Sequence, residues 1–165
     1  MILFAALLLM APLPEQVGHA PAGVSAEELV AETEAYFAAK DRGDAEAAYR
    51  RLAPSVKAYL PPDLWKANLA QFNAGAGKPE GREIARLTWY DNPPEAREPG
   101  LYVAADFTGR FSGLALMCGY VMWHREADGT FRIVREEQNV LDKETAAQLA
   151  PERRAPLARQ FGCPS

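Results

Sequence analysis

Near residue 77 the spacing of apolar side chains changes, and that change limits the fold more than any other feature of the chain. Up to Phe72 the apolar residues recur with the helical period of about 3.6, and from Arg82 they alternate with the strand period of about 2. "SAEELVAETEAYFAAKDRGD" opens with Ser25 and Glu28 at capping-box spacing and stops at Gly43. Leu29, Val30, Thr33, Tyr36 and Phe37 fall on one stripe of that helix. Asp44 caps a second helix to Leu52, which Pro54 ends. "PPDLWKANLAQF" is a third, opened by prolines and followed by Gly75 and Gly77. "REIARLTWY", "GLYVAADFTGRF", "LALMCGYVMWHRE" and "TFRIVREEQNV" are strands. Helices followed by strands exclude an alternating α/β plan. They predict an α+β domain of N-terminal helices packed on a curved four-stranded antiparallel sheet, with a helix at Asp142–Leu149 and a tail behind it.

The turns suggest a register. Pro93, Pro94 and Pro99 mark a long first connection, while Ser112-Gly113 and Asp128-Gly129 mark hairpins. With two-residue turns, Phe111 faces Leu114 and Ala127 faces Thr130. One face then gathers Leu101, Val103, Ala105, Phe107, Cys118, Tyr120, Met122 and Ile133, a core face for the first helix to cover. On the other face Tyr102 meets Trp123, flanked by Val121 and Val134. That aromatic patch reads as a contact for a second copy or a protein partner, or equally as a cross-strand pair that steadies the sheet.

Apolar content of 48% in 165 residues suits one domain with a real core. A net charge of −4 and a pI near 5.3 exclude a nucleic-acid surface and disfavour an anionic membrane. There is no glycine-rich phosphate loop, no nucleophile elbow and no HExxH, and beyond His19 the only histidine is His124. No metal, no cofactor and no catalytic residue is expected. What remains is a polar group at the end of the apolar face, where Met122 opposes Arg135, Tyr120 opposes Glu137 and His124 opposes Ile133. Tyr120, His124, Arg135 and Glu137 are the candidate binding residues for a small ligand; the alternative is a structural Arg–Glu pair at the sheet rim.

The apolar run Ile2–Met10 is too short to span a bilayer and precedes an A-x-A site at Ala20–Ala22. Residues 1–22 read as a secretory leader with Gly23 first in the mature chain; the alternative is an N-terminal helix stopped by Pro12 and Pro14. No cysteine stands at the cleavage site to take a lipid anchor. Export to the periplasm or beyond permits a disulfide, and Cys118 and Cys163 are the two cysteines. A bridge over that separation stabilises by about 4 kcal/mol through the unfolded chain. The alternative is a buried Cys118 thiol and a free Cys163. The layout is then a leader (1–22), a domain (23–141), and a C-terminal helix with a tethered tail (142–165).

Three features carry a resemblance. They are the D-x-G-D helix break (Asp41, Gly43, Asp44), Trp65 after a proline-rich turn, and the D-G-x-F-x-I strand (Asp128, Gly129, Phe131, Ile133). Over Ser25–Leu141 the chain resembles the nuclear-transport-factor-like and cystatin-like cone folds and, more narrowly, an uncharacterised family of small exported bacterial proteins. The resemblance implies a curved sheet wrapped round a helix, with a cone that some relatives use as a pocket. Cone-fold isomerases and dehydratases place an Asp base, a Tyr or a His inside it, whereas here Asp106 falls on the other face. The expected role is a non-catalytic exported domain acting by ligand or protein binding in the periplasm. A cone-fold enzyme or small-ligand carrier using the space between helix and sheet is the alternative.

Overall fold

Helix α1 (Ala26–Asp41) starts where Ser25 Oγ accepts the Glu28 amide at 3.1 Å and stops at Gly43, which turns with φ 74°. The computed structural model describes residues 12–164, so the apolar segment Ile2–Met10 of the expected leader lies outside the described residues. Before α1 runs a short strand, β1 (Glu15–Val17). After it come α2 (Ala45–Tyr49), capped by Asp44, then α3 (Pro54–Lys57) and α4 (Pro62–Ala76). Four long strands follow: β2 (Pro79–Asp91), β3 (Leu101–Phe111), β4 (Leu114–Arg125) and β5 (Phe131–Asp142). Helices α5 (Lys143–Gln148) and α6 (Pro151–Gln160) close the chain. α6 forms where the sequence suggests a proline-punctuated tail, because Pro151 sits at the first helical turn, where its missing amide costs nothing.

The architecture is α+β with one sheet in the order β1-β2-β3-β4-β5. β2 to β5 pair antiparallel, as their alternating pattern predicts. The sheet has five strands rather than four, since Glu15–Val17 adds to the β2 edge in parallel, opposite Arg86–Thr88. Gln16 Oε1 accepts the Trp89 indole N–H at 2.8 Å there. These three residues belong to the segment expected to leave with the leader.

The register between β3 and β4 differs by one residue from the two-residue hairpin. Phe107 opposes Gly119 and Tyr102 opposes His124, not Cys118 and Trp123. The turn is not free to choose its own geometry, because it docks on the end of α4. The Ser112 amide donates to the Lys78 carbonyl and the Gly113 amide to the Ala76 carbonyl, both at 2.9 Å. A side chain on Gly113 would stand 2.9 Å from that Ala76 oxygen. With a period of 2, the slip turns every β4 side chain over. Val121 and Trp123 enter the core, while Cys118, Tyr120, Met122 and His124 pass to the face away from α1. The slip carries Glu136, opposite Val121, toward α1, and a bulge at Val134, where Met122 faces Arg135 but Trp123 faces Ile133, keeps Ile133 in the core.

Leu29, Tyr36 and Phe37 of α1 pack on Leu87, Val103, Ala105, Phe107, Val121, Trp123 and Ile133. The Phe37 and Phe107 ring centroids are 4.6 Å apart. Cys118 and Cys163 are bridged with Cα atoms 5.4 Å apart. Because Cys118 has changed faces, the bridge ties α6 to the outer face of the sheet, where Asn139 Nδ2 also donates to the Phe161 carbonyl at 3.2 Å.

Candidate functional site

The outer face carries a groove of about 610 Å³, within the range of small-molecule sites. Its floor is Tyr102 of β3, Met122 and His124 of β4, and Val134 and Arg135 of β5; Tyr59 beside α3 and Tyr90 of β2 form its sides. Residues 93–98 of the β2–β3 connection fold over one flank, and Glu95, Glu98 and Glu126 stand round it. Alternation along β3 and β4 aligns Tyr102, Met122 and His124, the bulge brings both Val134 and Arg135 to the groove, and the connection supplies the wall.

The wall is held from the sequence up. Asn92 adopts φ 47°, a conformation Asn tolerates, and its Oδ1 accepts the Gly100 amide while its own amide donates to the Gly100 carbonyl, both at 2.9 Å. Gly100, at φ 142°, passes so close to His124 that a Cβ there would meet Nε2 at 2.7 Å. The Tyr102 hydroxyl donates to the Glu98 carbonyl at 2.8 Å. Burial first, and then Glu98, raises the pKa of that hydroxyl above its ordinary 10.0. The His124 ring stacks on Tyr102 with centroids 4.4 Å apart, and His124 Nδ1 stands 3.7 Å from Glu126 Oε1, a charged contact when the ring is protonated.

Of the four residues singled out from sequence, His124 and Arg135 line the groove. Tyr120 and Glu137 share its face but lie beside it. The exposed Arg135 pairs with the half-buried Glu137, and its guanidinium lies 5.9 Å from the Tyr120 ring centre. The Tyr120–Glu137 and Met122–Arg135 pairs stand as the second hairpin predicts, but His124 opposes Arg132 instead of Ile133 because of the Val134 bulge. The expected Tyr102–Trp123 surface does not form: Trp123 is 1% exposed in the core, and Tyr102 lies under the 93–98 wall. Tyr59 and Tyr90 escaped the sequence reading because they reach the groove from segments that no local pattern links to it.

The helix-covered side holds a second polar group. Glu136 accepts Tyr36 Oη at 2.6 Å and Lys40 Nζ at 2.5 Å. Burial first lowers the Lys40 pKa below its ordinary 10.5, while Glu136 opposes the shift. Arg82 grips Asp41, with Nη2 to Oδ1 at 2.9 Å and Nε to Oδ1 at 3.1 Å, and lies 4.7 Å from the Phe37 ring centre and 5.0 Å from that of Phe111. These charges are saturated by one another and pin α1 to the sheet.

Among the described residues no group of three or more His, Cys, Asp or Glu side chains could hold a metal ion, and no helix is long and apolar enough to cross a membrane. A family model described as a protein of unknown function (DUF4019) matches residues 32–135. No curated protein and no solved structure matches the chain.

Proposed function

The chain belongs to the DUF4019 family of proteins of unknown function, and from its geometry we propose a non-catalytic, exported binding domain whose outer-face groove takes a small, largely apolar or aromatic molecule. The groove itself carries the reading: about 610 Å³ walled by Tyr59, Tyr90, Tyr102, Met122 and Val134, with His124 and Arg135 as polar handles. A wider concavity of about 750 Å³ at the β2 edge is ringed by Glu27, Glu34, Asp41 and Glu83, and the one arginine that lines it, Arg82, is taken up by Asp41. Export is supported by the formed Cys118–Cys163 bridge, which persists in an oxidising compartment. The cone-fold resemblance is supported by α1 lying across long strands that bulge at Ile84/Arg86 and Met122/Trp123. The enzyme alternative in the space between helix and sheet draws no support from Tyr120, His124, Arg135 and Glu137, which face away from α1.

Thermal-shift screening against lipids, aromatic acids, sugars and peptides tests this, with Met122→Trp and Ala96→Trp as variants that fill the groove. The expected result is a saturable ligand for the natural chain that neither filled variant binds. Ligands that stabilise the filled variants equally well, or no ligand in the screen, would sink the proposal.

A further inference from the structure

The β2 edge of the sheet is filled by the chain's own N-terminal segment, and the fit shows what that edge accepts. β1 runs along it in parallel, with Gln16 opposite Leu87 between the pairs Glu15–Arg86 and Val17–Thr88. Three exposed residues make a weak strand, yet this one meets β2 at two demanding points. Gln16 Oε1 accepts the indole N–H of the buried Trp89 at 2.8 Å. Gly18 turns with φ 78° so near the same residue that a Cβ there would stand 3.2 Å from the Trp89 carbonyl oxygen. The edge thus selects a side-chain acceptor followed two residues later by glycine.

The segment that fills this edge is the one expected to leave with a leader ending at Ala22. Its departure strips the β2 backbone of its partner at Arg86–Thr88 and takes the acceptor from the Trp89 N–H, losses that an incoming strand repairs. Ahead of β1, Leu13 and Pro14 pass into the concavity of about 750 Å³ lined by α1 and β2. The spacing of Glu27, Val30, Glu34, Phe37 and Asp41 puts these side chains on one stripe of α1 along it. Asp41 is held by Arg82, whereas Glu27 and Glu34 form no ion pair among the described residues. Carboxylates alternating with apolar side chains suit a lysine or arginine, which lays its stem on the apolar part and its charge on the rim.

We propose that in the exported, processed chain the β2 edge takes an extended segment of a partner protein. The segment runs parallel to β2, with a side-chain acceptor opposite Leu87, glycine two residues on, and a basic residue ahead of the strand. Main-chain hydrogen bonds supply the affinity of such strand addition, and the side chains between them supply the selection. The proposal rests on the export reading and is independent of the outer-face groove.

The test expresses the full chain for export in a bacterium and reads the N-terminus of the purified protein by mass spectrometry. That protein is then titrated with the peptide "PLPEQVGHA", the sequence of residues 12–20, while the Trp89 indole N–H is followed by NMR. The expected result is a chain that starts beyond Val17 and a saturable shift of that resonance. The peptide carrying Gln16→Leu should bind about fivefold more weakly, the scale of one hydrogen bond. Trp89→Phe in the protein should weaken the natural peptide to the same degree, with no further loss when the two changes are combined. The peptide with Gly18→Val should fail to bind, and Leu13→Lys should bind more tightly than Leu13→Glu at low salt. If Trp89→Phe fails to fold, the peptide variants decide. A chain that keeps residues 15–17 after export sinks the export reading and the proposal together. A processed chain that ignores the peptide, that tolerates Gly18→Val, that prefers Leu13→Glu, or that closes its bare edge on a second copy overturns the proposal alone.

Discussion

At the scale of single residues, the most consequential group is Lys40 with Glu136 and Tyr36, because a lysine 3% exposed survives in a core only when its charge is answered. Removing one partner leaves the other buried and uncompensated. Glu136→Gln should therefore cost about 3 kcal/mol or more, while Lys40→Met combined with Glu136→Gln should regain much of that loss. Chemical denaturation of the two single variants and the double variant measures the coupling. The pH dependence has a definite sign. Burial already holds the folded-state pKa of Lys40 below 10.5, and losing Glu136 removes the main influence raising it. Between the folded and unfolded values the unfolded chain binds more protons, so stability rises with pH across that window. Glu136→Gln should accordingly gain stability relative to the natural chain as pH climbs from neutral toward 10.5. A variant as stable as the natural chain, or one that loses stability over that climb, would show that the pair is not the anchor.

At the scale of elements, β1 is the least secured part of the sheet, three exposed residues joined to a thirteen-residue neighbour. Its side-chain tie is the Trp89–Gln16 hydrogen bond, worth about 1 kcal/mol. A chain starting at Gly23 should keep its fold but melt several degrees lower than one starting at Pro12, with the Trp89 indole newly solvated. Equal melting temperatures would mean that β1 adds nothing. The elements themselves were legible because each is written in local signals, such as Ser25 before α1 and the alternation from Leu101 to Phe107. The register between β3 and β4 was not, because the Ser112-Gly113 turn is fixed by Ala76 and Lys78, more than thirty residues earlier in the chain. From that single slip follow the burial of Trp123, the outward passage of Cys118 and Tyr120, and the inward turn of Glu136. The groove was half legible: His124 and Arg135 stood out as polar residues in a strand pattern, whereas Tyr59, Tyr90 and the Asn92–Gly100 clasp meet only in the folded chain.

At the scale of the whole molecule, two covers share the outer face of the sheet. The 93–98 wall shelters Tyr102 and His124 at one end, and α6 is fastened by Cys118–Cys163 at the other. The two are held by different means. The wall is built from hydrogen bonds to the sheet and to its own backbone. α6 is a ten-residue helix with Pro156 inside it, too short and too interrupted to persist without tertiary support. Its covalent tie spans 45 residues, so reduction should cost about 4 kcal/mol, largely by freeing the unfolded chain. Reduction should also release α6 while the sheet core, built without it, stays folded. Limited proteolysis with mass spectrometry reads this directly: after reduction, or in Cys163→Ser, new cuts should fall beyond Leu149 while the segment from α1 to β5 resists. Binding in the groove should survive the same treatment, since no residue of α6 lines it. If the reduced chain keeps a protected tail, packing rather than the disulfide holds α6 in place. If groove binding is lost along with the tail, the two ends of the outer face are coupled.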